Sequence, residues 1–176
     1  MSLSYMDYES KSRSCLLKDS TMSWDMTRSC NLSCGHCSNA DDRARAGRDL
    51  TLSEAVRVLS EFAEAGGSGL HLLGGEPLLR KDLLQIIVAA RRLGLDVSLT
   101  TNGTLIPAEE GVDILLGALS VLTISMDGAD ANVNDAIRGH GVLERARRAL
   151  AFYRSQKTRR GRGAWLNVSH VLCEAN

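Results

Sequence analysis

The stretch Gly69–Pro77 reads GLHLLGGEP, an apolar strand-like run followed at once by two glycines, a glutamate and a proline. A helical pattern precedes it from Leu52 to Ala65, with apolar residues at the i, i+3, i+4 and i+7 spacing of a helix that buries one face. A second helical pattern follows from Lys81 to Leu93. A strand between two helices predicts parallel strands joined by right-handed crossovers, and hence an α/β fold.

The same alternation of strand-like and helical patterns continues in both directions from this stretch. Further strands are predicted at Ser23–Thr27, Asp96–Thr100, Val121–Ser125 and Trp165–Leu172. Further helices are predicted from Pro107 to about Leu116 and from about Val142 to Tyr153. A closed TIM barrel has about eight strands, so five predict an open, partial (β/α) TIM-like barrel with parallel strands.

Two of the helix starts and one helix end are marked by particular residues. Thr51 and Glu54 have the spacing of a capping box ahead of the first helix. Gly66-Gly67 stop that helix, because glycine readily adopts the conformation that follows a helix end. Pro107 suits the first turn of the third helix, where a missing N–H costs nothing.

Composition restricts the class of protein. The chain has 176 residues, of which 44% are hydrophobic and 24% charged, as in an ordinary globular domain. Lys and Arg number 21, as do Asp and Glu, so the net charge is zero and favours neither nucleic acid nor an anionic membrane as partner. No signal peptide and no window with the roughly 20 apolar residues of a membrane span is present. We therefore expect a cytoplasmic protein with reduced thiols.

Three of the five cysteines stand together in the segment CNLSCGHC, at Cys30, Cys34 and Cys37. An odd cysteine count with three residues in one cluster favours metal ligation over a disulfide framework. The segment directly follows the first predicted strand, and α/β folds place their chemistry at the carboxyl ends of parallel strands. Cys15 and Cys173 lie far away in sequence and cannot by themselves hold a second cluster.

Three kinds of cysteine site are considered for this spacing. A structural zinc site would need His36 or another fourth ligand, but His36 adjoins Cys37 and no second C-x-x-C knuckle exists. A redox pair of Cys34 and Cys37 would leave Cys30 unexplained. An iron–sulfur cluster suits soft thiolates, and three thiolates leave one iron open to another ligand.

At these residues the sequence resembles the radical S-adenosylmethionine (radical SAM) enzymes, whose signature is C-x3-C-x2-C after the first strand. The first of the family's further motifs leads into the cysteines, and the others follow in order along the chain, beyond the later strands. They are WDMT at Trp24–Thr27, GGEP at Gly74–Pro77, TNG at Thr101–Gly103, SMDG at Ser125–Gly128 and NDAIRG at Asn134–Gly139. The resemblance covers roughly residues 23 to 176 and is to the SPASM-associated branch, which matures peptides and cofactors.

The resemblance implies a [4Fe–4S] cluster on Cys30, Cys34 and Cys37. It also implies that the amine and carboxylate of S-adenosylmethionine complete the coordination of the fourth iron, and that His36 lies near the adenine. The residues that it implies for binding S-adenosylmethionine are His36, Gly74, Gly75, Glu76, Pro77, Asn102, Ser125, Asp127 and Arg138.

These residue types suit such a ligand. Gly74 and Gly75 lack a Cβ and so allow close approach of the backbone. Glu76 can accept a charge-assisted hydrogen bond from the ligand amine. Arg138 can meet the carboxylate as a planar fork, and Ser125 can hydrogen-bond a polar group.

The activity that the resemblance implies is that of an oxidoreductase-type radical enzyme. A reduced cluster donates an electron to the bound sulfonium, the carbon–sulfur bond breaks, and a 5′-deoxyadenosyl radical abstracts hydrogen from a substrate. The cysteines are then ligands, and no residue is identified as a separate catalytic acid or base. We expect a peptide or small-molecule cofactor precursor as substrate and a flavodoxin or ferredoxin as electron donor. The alternatives are a tetrapyrrole- or heme-modifying enzyme and a non-catalytic module that holds zinc or a vestigial cluster.

The domain prediction is an N-terminal extension over residues 1–22 and a core over residues 23–176 that is incomplete at its C-terminus. The core of the family usually has six strands, and its SPASM-type members add a cysteine-rich domain. We therefore expect a fragment, a truncated gene product, or a protein that needs a partner to complete the barrel. The isolated chain is expected to turn over substrate poorly.

Two charged segments and one histidine have simpler interpretations. The basic run Arg154–Arg162 is predicted to be a solvated loop, with docking of an acidic partner as the alternative. Residues 41–48 are predicted to form a flexible charged loop. His71, inside a strand, is predicted to be a core or rim histidine.

Overall fold

Every strand of the sheet is parallel to its neighbours, and the strands pair in chain order. The computed structural model describes residues 17–40, 47–174 and 176. The strands are β1 Thr21–Asp25, β2 Gly69–Leu73, β3 Asp96–Thr101, β4 Val121–Ser125 and β5 Trp165–Ser169. The helices are α1 Leu52–Glu64, α2 Leu83–Arg92, α3 Glu109–Ala118, α4 Ala131–Arg138 and α5 Val142–Arg160. The predicted α/β fold with five parallel strands is confirmed.

One face of the sheet is apolar and packs against the helices. Its side chains alternate along each strand, because successive residues of a strand point to opposite faces. The buried members are Leu70, Leu72, Val97, Leu99, Leu122 and Ile124, in one core cluster with Leu59 of α1, Ile86 of α2, Leu115 of α3 and Ala149 of α5. Burying each large side chain contributes about 1.5–3 kcal/mol, so this face holds the helices to the sheet.

The start of α1 has the predicted capping box. The backbone N–H of Thr51 donates to Glu54 Oε2 at 2.8 Å, and Thr51 Oγ1 accepts from the backbone N–H of Glu54. Arg48 donates to both carboxylate oxygens of Glu54 at 2.6 Å. The first turn of the helix therefore fixes the end of the segment that leads from the cysteines to α1.

Several strand and helix bounds differ from the prediction, and those of β1, β5 and α3 bear on the site or on a predicted feature. β1 begins at Thr21 and so includes the last two residues of the predicted N-terminal extension. It ends at Asp25 because Met26 turns into the core, where its side chain is 1% exposed. β5 ends at Ser169, short of the predicted Leu172. α3 begins at Glu109, so Pro107 precedes the helix and does not form its first turn.

Two helical segments were missed. α4 was predicted only as a motif, since its eight residues include few apolar side chains. α5 continues to Arg160, so the basic run predicted as a loop is almost wholly helical. Lys and Arg are good helix formers, and the helix runs until Gly161, whose φ is 66°. Of the predicted charged loop at 41–48, residues 41–46 lie outside the described residues, as does Cys15.

No helix in the described part of the chain is long and apolar enough to cross a membrane.

Candidate active site

The predicted motifs meet around one cavity of about 460 Å³ at the carboxyl ends of the strands. The predicted site residues that line it are Cys30, Cys34, His36, Cys37, Gly74, Gly75, Asn102, Ser125 and Arg138. Glu76, Pro77 and Asp127 do not line it; they are buried behind the lining. The structure thus brings all the predicted residues to one end of the sheet and divides them into lining and supporting residues.

The cysteine loop lies on the C-terminal end of α4. The Gly35 N–H donates to the Ile137 carbonyl at 2.8 Å, and Cys34 Sγ lies 4.0 Å from the Arg138 carbonyl. A turn closes the loop where the Cys37 N–H donates to the Cys34 carbonyl at 3.1 Å. The last carbonyls of a helix lack intrahelical partners, so α4 offers acceptors that position this loop.

The two glycines after β2 allow the chain to pass close to the start of the cysteine loop. The Gly75 N–H donates to the Thr27 carbonyl at 2.7 Å, and the Glu76 N–H donates to the Ser29 carbonyl at 2.8 Å. A Cβ on Gly75 would lie 2.2 Å from the Ser29 carbonyl oxygen. Gly74 has a φ of +135°, which side chains rarely adopt. Glycine is therefore required here by packing between two loops as well as by access to the cavity.

Glu76 is fully buried and accepts three hydrogen bonds from the chain. Its Oε1 accepts from Thr101 Oγ1 at 2.7 Å and from the Leu78 N–H at 3.0 Å. Its Oε2 accepts from the Asn102 N–H at 2.8 Å. Burial raises the pKa of the Glu76 carboxyl, against the opposing effect of these bonds. Glu76 thus joins the loops after β2 and β3, and its contact with a ligand amine stays a prediction.

Asn102 is engaged with the residue that follows the first cysteine. Its Nδ2 donates to Asn31 Oδ1 at 2.9 Å, and its Oδ1 accepts from Thr104 Oγ1 at 2.6 Å. Asn31 Nδ2 closes the triangle by donating to Thr104 Oγ1 at 2.8 Å. The predicted contact of Asn102 with ligand or substrate stays a prediction, while its amide visibly fixes the cysteine loop to the loop after β3.

Asp127 is the buried centre of a second network. Its Oδ2 lies 2.5 Å from His36 Nε2 and 2.5 Å from Arg138 Nε, and its side chain is 0% exposed. Its Oδ1 accepts from the Val171 N–H at 2.8 Å. Burial alone would raise the pKa of Asp127, but the hydrogen bonds it accepts, led by that of His36, lower it below its ordinary value. An ionised Asp127 therefore orients both His36 and Arg138 at the cavity.

Ser125 and Ser169 end neighbouring strands at the cavity. Ser169 Oγ donates to Ser125 Oγ at 3.1 Å, and the two residues pair in the register of β4 and β5. Val171, two residues further along, lines the cavity. The segment after β5 therefore contributes to the wall next to Ser125.

Sequence reasoning missed three polar residues that support the site. Asn134 is buried and accepts from the Asp127 N–H at 2.9 Å. Asp135 accepts from the Gly141 and Leu143 N–H groups and so caps α5. Asn31 was noted only as part of the cysteine motif. Asn134 and Asp135 stood inside a recognised motif. Asp135 precedes Gly141 and Leu143 by six and eight residues, and that spacing was the available signal for the cap.

The donor set suits an iron–sulfur cluster. Three cysteines line the cavity, thiolates are the usual ligands of such a cluster, and each would bind a different iron.

Comparisons with known proteins agree with these motifs. A sequence model of the Radical SAM superfamily matches residues 24–164. The chain is 36% identical over 132 residues to the AdoMet-dependent heme synthase of Oleidesulfovibrio alaskensis. The aligned residues cover 74% of this chain and 34% of that protein. It is 34% identical over 127 residues to the PqqA peptide cyclase of Bradyrhizobium diazoefficiens, with 72% and 33% covered. The chain therefore spans about a third of the length of the curated relatives it matches.

The fold also matches a solved structure. The chain superposes on Streptococcus suis SuiB bound to S-adenosylmethionine with a TM-score of 0.73 and 21% identity, over 94% of this chain and 37% of SuiB. SuiB has also been solved bound to its precursor peptide SuiA. This likeness confirms the predicted TIM-like arrangement of strands and helices.

The superfamily is defined by its cofactors, a [4Fe–4S] cluster and S-adenosylmethionine. The predicted resemblance rested on motifs between Trp24 and Gly139, and the family match spans those motifs and continues to Ala164. A match over most of the chain shows the family, and the chain therefore belongs to the radical SAM superfamily.

Proposed function

We propose that this chain binds a [4Fe–4S] cluster through Cys30, Cys34 and Cys37 and holds S-adenosylmethionine at the remaining iron. When bound, these groups supply reductive cleavage of the sulfonium and hydrogen abstraction from a substrate. The observation that carries the proposal is that the three cysteines, two glycines and an arginine line one cavity. Its volume of about 460 Å³ lies within the range of about 300–1,000 Å³ typical of small-molecule sites.

Arg138 is proposed to bind the carboxylate of S-adenosylmethionine. Its side chain lines the cavity, and its Nε–H donates to Asp127. The guanidinium has further N–H donors on its two Nη atoms. The buried Asp127 balances the arginine charge and fixes the plane of its fork. An arginine held in this way can meet a carboxylate without rearrangement, which favours binding.

His36 and Ser125 are proposed to contact the nucleoside part of the same ligand. His36 lines the cavity while its Nε2 is held by Asp127, so its ring has a fixed orientation. Ser125 has a hydroxyl at the cavity wall that bonds Ser169 and retains capacity for another hydrogen bond. Gly74 and Gly75 line the same cavity.

Peptide maturation is the proposed role. It is supported by relatives named for peptide cyclisation and by the fold likeness to a protein solved with a precursor peptide. A second candidate is modification of a tetrapyrrole, favoured by the 36% identity to an enzyme named as a heme synthase. Both candidates use the same cofactor site and differ in what the rest of the sheet must accommodate.

We further propose that residues 23–176 act as part of a larger core. In the described residues, β5 pairs only with β4 and β1 only with β2, so both edges of the sheet are open. Open edges are usually covered by another element. A covering element, in the same polypeptide or a partner, and an external electron donor such as a flavodoxin or ferredoxin would complete the activity. A cytoplasmic location is part of the same proposal, since it keeps the thiols reduced.

Anaerobic reconstitution with iron and sulfide tests the cofactor proposal. We expect about four irons per chain, a brown chromophore, and release of methionine and 5′-deoxyadenosine from S-adenosylmethionine after reduction. Single Cys30→Ala, Cys34→Ala and Cys37→Ala variants should lose the chromophore. Cys173→Ala, which changes an exposed cysteine outside the cavity lining, is the matched control and should keep it. A colourless protein with one zinc per chain would contradict the proposal.

A further inference from the structure

Arg80 is a buried arginine that none of the recognised motifs includes. It follows the short 3₁₀ helix Pro77–Leu79, and its side chain is only 5% exposed. An arginine is almost never buried to this extent unless its charge is paired and its N–H groups have acceptors. The partners of Arg80 therefore indicate what this buried charge does in the fold.

The guanidinium of Arg80 donates to two main-chain carbonyls from different parts of the chain. Its Nη1 donates to the Met26 carbonyl at 2.6 Å, and its Nη2 donates to the Leu50 carbonyl at 2.5 Å. Met26 directly follows β1, and Leu50 lies two residues before α1. Residues 27–49, which we call the cysteine segment, lie between these carbonyls and carry all three cysteines of the cavity. One buried side chain thus joins the two ends of the cysteine segment.

Two further contacts fix the position of this guanidinium. Asp82 accepts from Arg80 Nε at 2.6 Å and from Nη2 at 3.1 Å. The hydrogen bond from Arg80 holds the pKa of the Asp82 carboxyl below its ordinary value, so the carboxylate stays ionised at neutral pH. The guanidinium carbon also lies 5.6 Å from the ring centroid of Trp24, within the range of a cation–π contact. Arg80 is therefore anchored to β1 and to the loop after β2.

The two carbonyl contacts complete the anchoring of the cysteine segment. Its first half is already held by main-chain hydrogen bonds at Thr27, Ser29 and Gly35. The bond from Arg80 to Leu50 holds the point at which the chain returns to α1. Because a guanidinium is planar and rigid, the separation of the two ends is set by this one group and not by the chain between them.

We propose that Arg80 is a positioning residue for the cluster, which holds both ends of the cysteine segment so that the three thiolates keep their mutual geometry. The inference rests on the proposed function, because it assigns a role toward the cluster that those cysteines are proposed to bind. Groups that orient the ligands of a metal site, without touching the metal, typically change metal affinity about 10- to 100-fold when they are removed.

Two substitutions of Arg80 and one matched control test this role in the full chain. Arg80→Gln removes the charge and the fork. Arg80→Lys keeps the charge next to Asp82, but an ammonium lacks the planar fork that spans both carbonyls. Arg91→Gln is the control, because Arg91 also donates to a carbonyl, that of Leu95 at 3.0 Å, and to a carboxylate, that of Asp96 at 3.3 Å. Arg91 lies in the last turn of α2 and outside the cavity lining.

A second control separates positioning from a general loss of stability. Leu115 is fully buried in the core under α3, and Leu115→Ala destabilises the fold through a cavity there. Leu115→Ala and the Arg80 variants are compared at temperatures equally far below their melting transitions. A purely structural role of Arg80 would then make its variants behave like Leu115→Ala.

Hydrogen–deuterium exchange of the metal-free chain is the first measurement. In Arg80→Gln and Arg80→Lys, exchange should accelerate at least threefold more in peptides from the cysteine segment than in peptides from α3 and β4. Leu115→Ala should give the reverse pattern, and Arg91→Gln should leave the cysteine segment as in wild type. This measurement needs neither iron nor activity.

The second measurement uses the protein reconstituted anaerobically with iron and sulfide. We expect Arg80→Gln to release iron to a chelator about tenfold faster than wild type, and Arg80→Lys to recover part of that loss. The change that S-adenosylmethionine causes in the electron paramagnetic resonance spectrum of the reduced cluster should be weaker in both Arg80 variants. Arg91→Gln and Leu115→Ala should keep the wild-type iron release and spectrum. If Arg80→Gln does not fold, Arg80→Lys is compared with the same controls.

The inference is overturned if the Arg80 variants release iron no faster than Leu115→Ala, or if their exchange rises equally throughout the chain. Failure of the two proposals can be told apart. A wild-type chain that takes up iron, together with Arg80 variants that match both controls, refutes the role of Arg80 alone. A wild-type chain that takes up no iron refutes the cofactor proposal, and exchange of the metal-free chain then still decides whether Arg80 holds the cysteine segment.

Discussion

His36 Nε2 and Asp127 Oδ2 lie 2.5 Å apart, although the two residues are 91 positions apart in sequence. His36 stands between the second and third cysteines, and Asp127 stands in the motif after β4. The contact therefore ties the cysteine loop to the far side of the sheet. The same carboxylate oxygen accepts from Arg138, so one buried charge positions two residues of the cavity wall.

The first prediction concerns the stability that this network provides. Asp127→Asn removes the charge that balances Arg138, whose side chain is 8% exposed. Removing one partner of a buried ion pair leaves the other uncompensated, so we expect the free energy of unfolding to fall by about 3 kcal/mol. Urea denaturation of the metal-free protein at neutral pH measures this change in the free energy of unfolding.

An exposed ion pair provides the matched control for this substitution. Asp113 pairs with Arg160, and its side chain is 56% exposed. Asp113→Asn should cost less than about 1 kcal/mol, because exposed pairs are screened by water. Equal losses in Asp127→Asn and Asp113→Asn would mean that Asp127 is not the centre of a buried network.

The second prediction concerns pH and the buried Glu76. Burial raises the pKa of Glu76 in the folded state above its unfolded value of about 4.3. The folded state then binds the proton more tightly, so the contribution of Glu76 to stability is fully present below pH 4.3 and declines as pH rises through the folded pKa. Glu76→Gln cannot titrate, so its unfolding free energy relative to wild type should rise with pH over that window.

The comparison uses the slope with pH and not the absolute stability. Glutamine places an NH₂ group where Thr101, Asn102 or Leu78 now donates, so Glu76→Gln should be less stable than wild type at low pH. Chemical denaturation at a series of pH values from acidic to neutral gives the unfolding free energy of wild type and of Glu76→Gln as a function of pH. Parallel curves would show that the Glu76 carboxyl does not titrate with a raised pKa.

The third prediction concerns the close approach at Gly75. A Cβ there would lie 2.2 Å from the Ser29 carbonyl oxygen, a backbone atom that cannot move without shifting the start of the cysteine loop. Gly75→Ala should therefore cost about 3 kcal/mol and lower iron uptake on reconstitution. Gly117→Ala, where nothing lies within 4 Å of the added Cβ, should stabilise α3 by about 0.5–1 kcal/mol. Equal stability of the two variants would contradict this account.

Much of the fold was predictable because strand and helix patterns were strong and their ends were marked. The capping box at Thr51 and Glu54 forms as predicted, and β2, β4 and the start of α1 have the predicted bounds. The apolar face of each strand could also be predicted from the sequence. The polar residues at the alternate strand positions were also visible in the sequence. Which face of the sheet lines the cavity, however, is a property of the folded sheet and could not be predicted from those residues.

The division of the site into lining and supporting residues could not be predicted from sequence. Motif order placed Glu76, Asn102 and Asp127 near a ligand, and all three do lie at the correct end of the sheet. The hydrogen bonds that join them to other loops, however, are made with residues distant in sequence. Asn31 and Asn102 are 71 positions apart, and no local pattern encodes such a contact.

The last prediction distinguishes these two roles at Asn102. Asn102→Ala removes the hydrogen bonds to Asn31 and Thr104, but it keeps the backbone N–H that donates to Glu76. Loss of these three side-chain hydrogen bonds, one to Asn31 in the cysteine loop and two from Thr104, should lower cluster retention by about tenfold. The rate of iron release to a chelator under anaerobic conditions measures that loss.

Binding of S-adenosylmethionine to the fraction that still holds a cluster separates support from direct contact. If Asn102 only positions the cysteine loop, the affinity of that fraction should equal wild type while iron release is faster. If its amide contacts the ligand, the affinity should fall while iron release stays unchanged. Asn132→Ala, on the exposed side of α4, is the control and should alter neither quantity. The geometry favours the first result, because both ends of the Asn102 amide already bond to the chain.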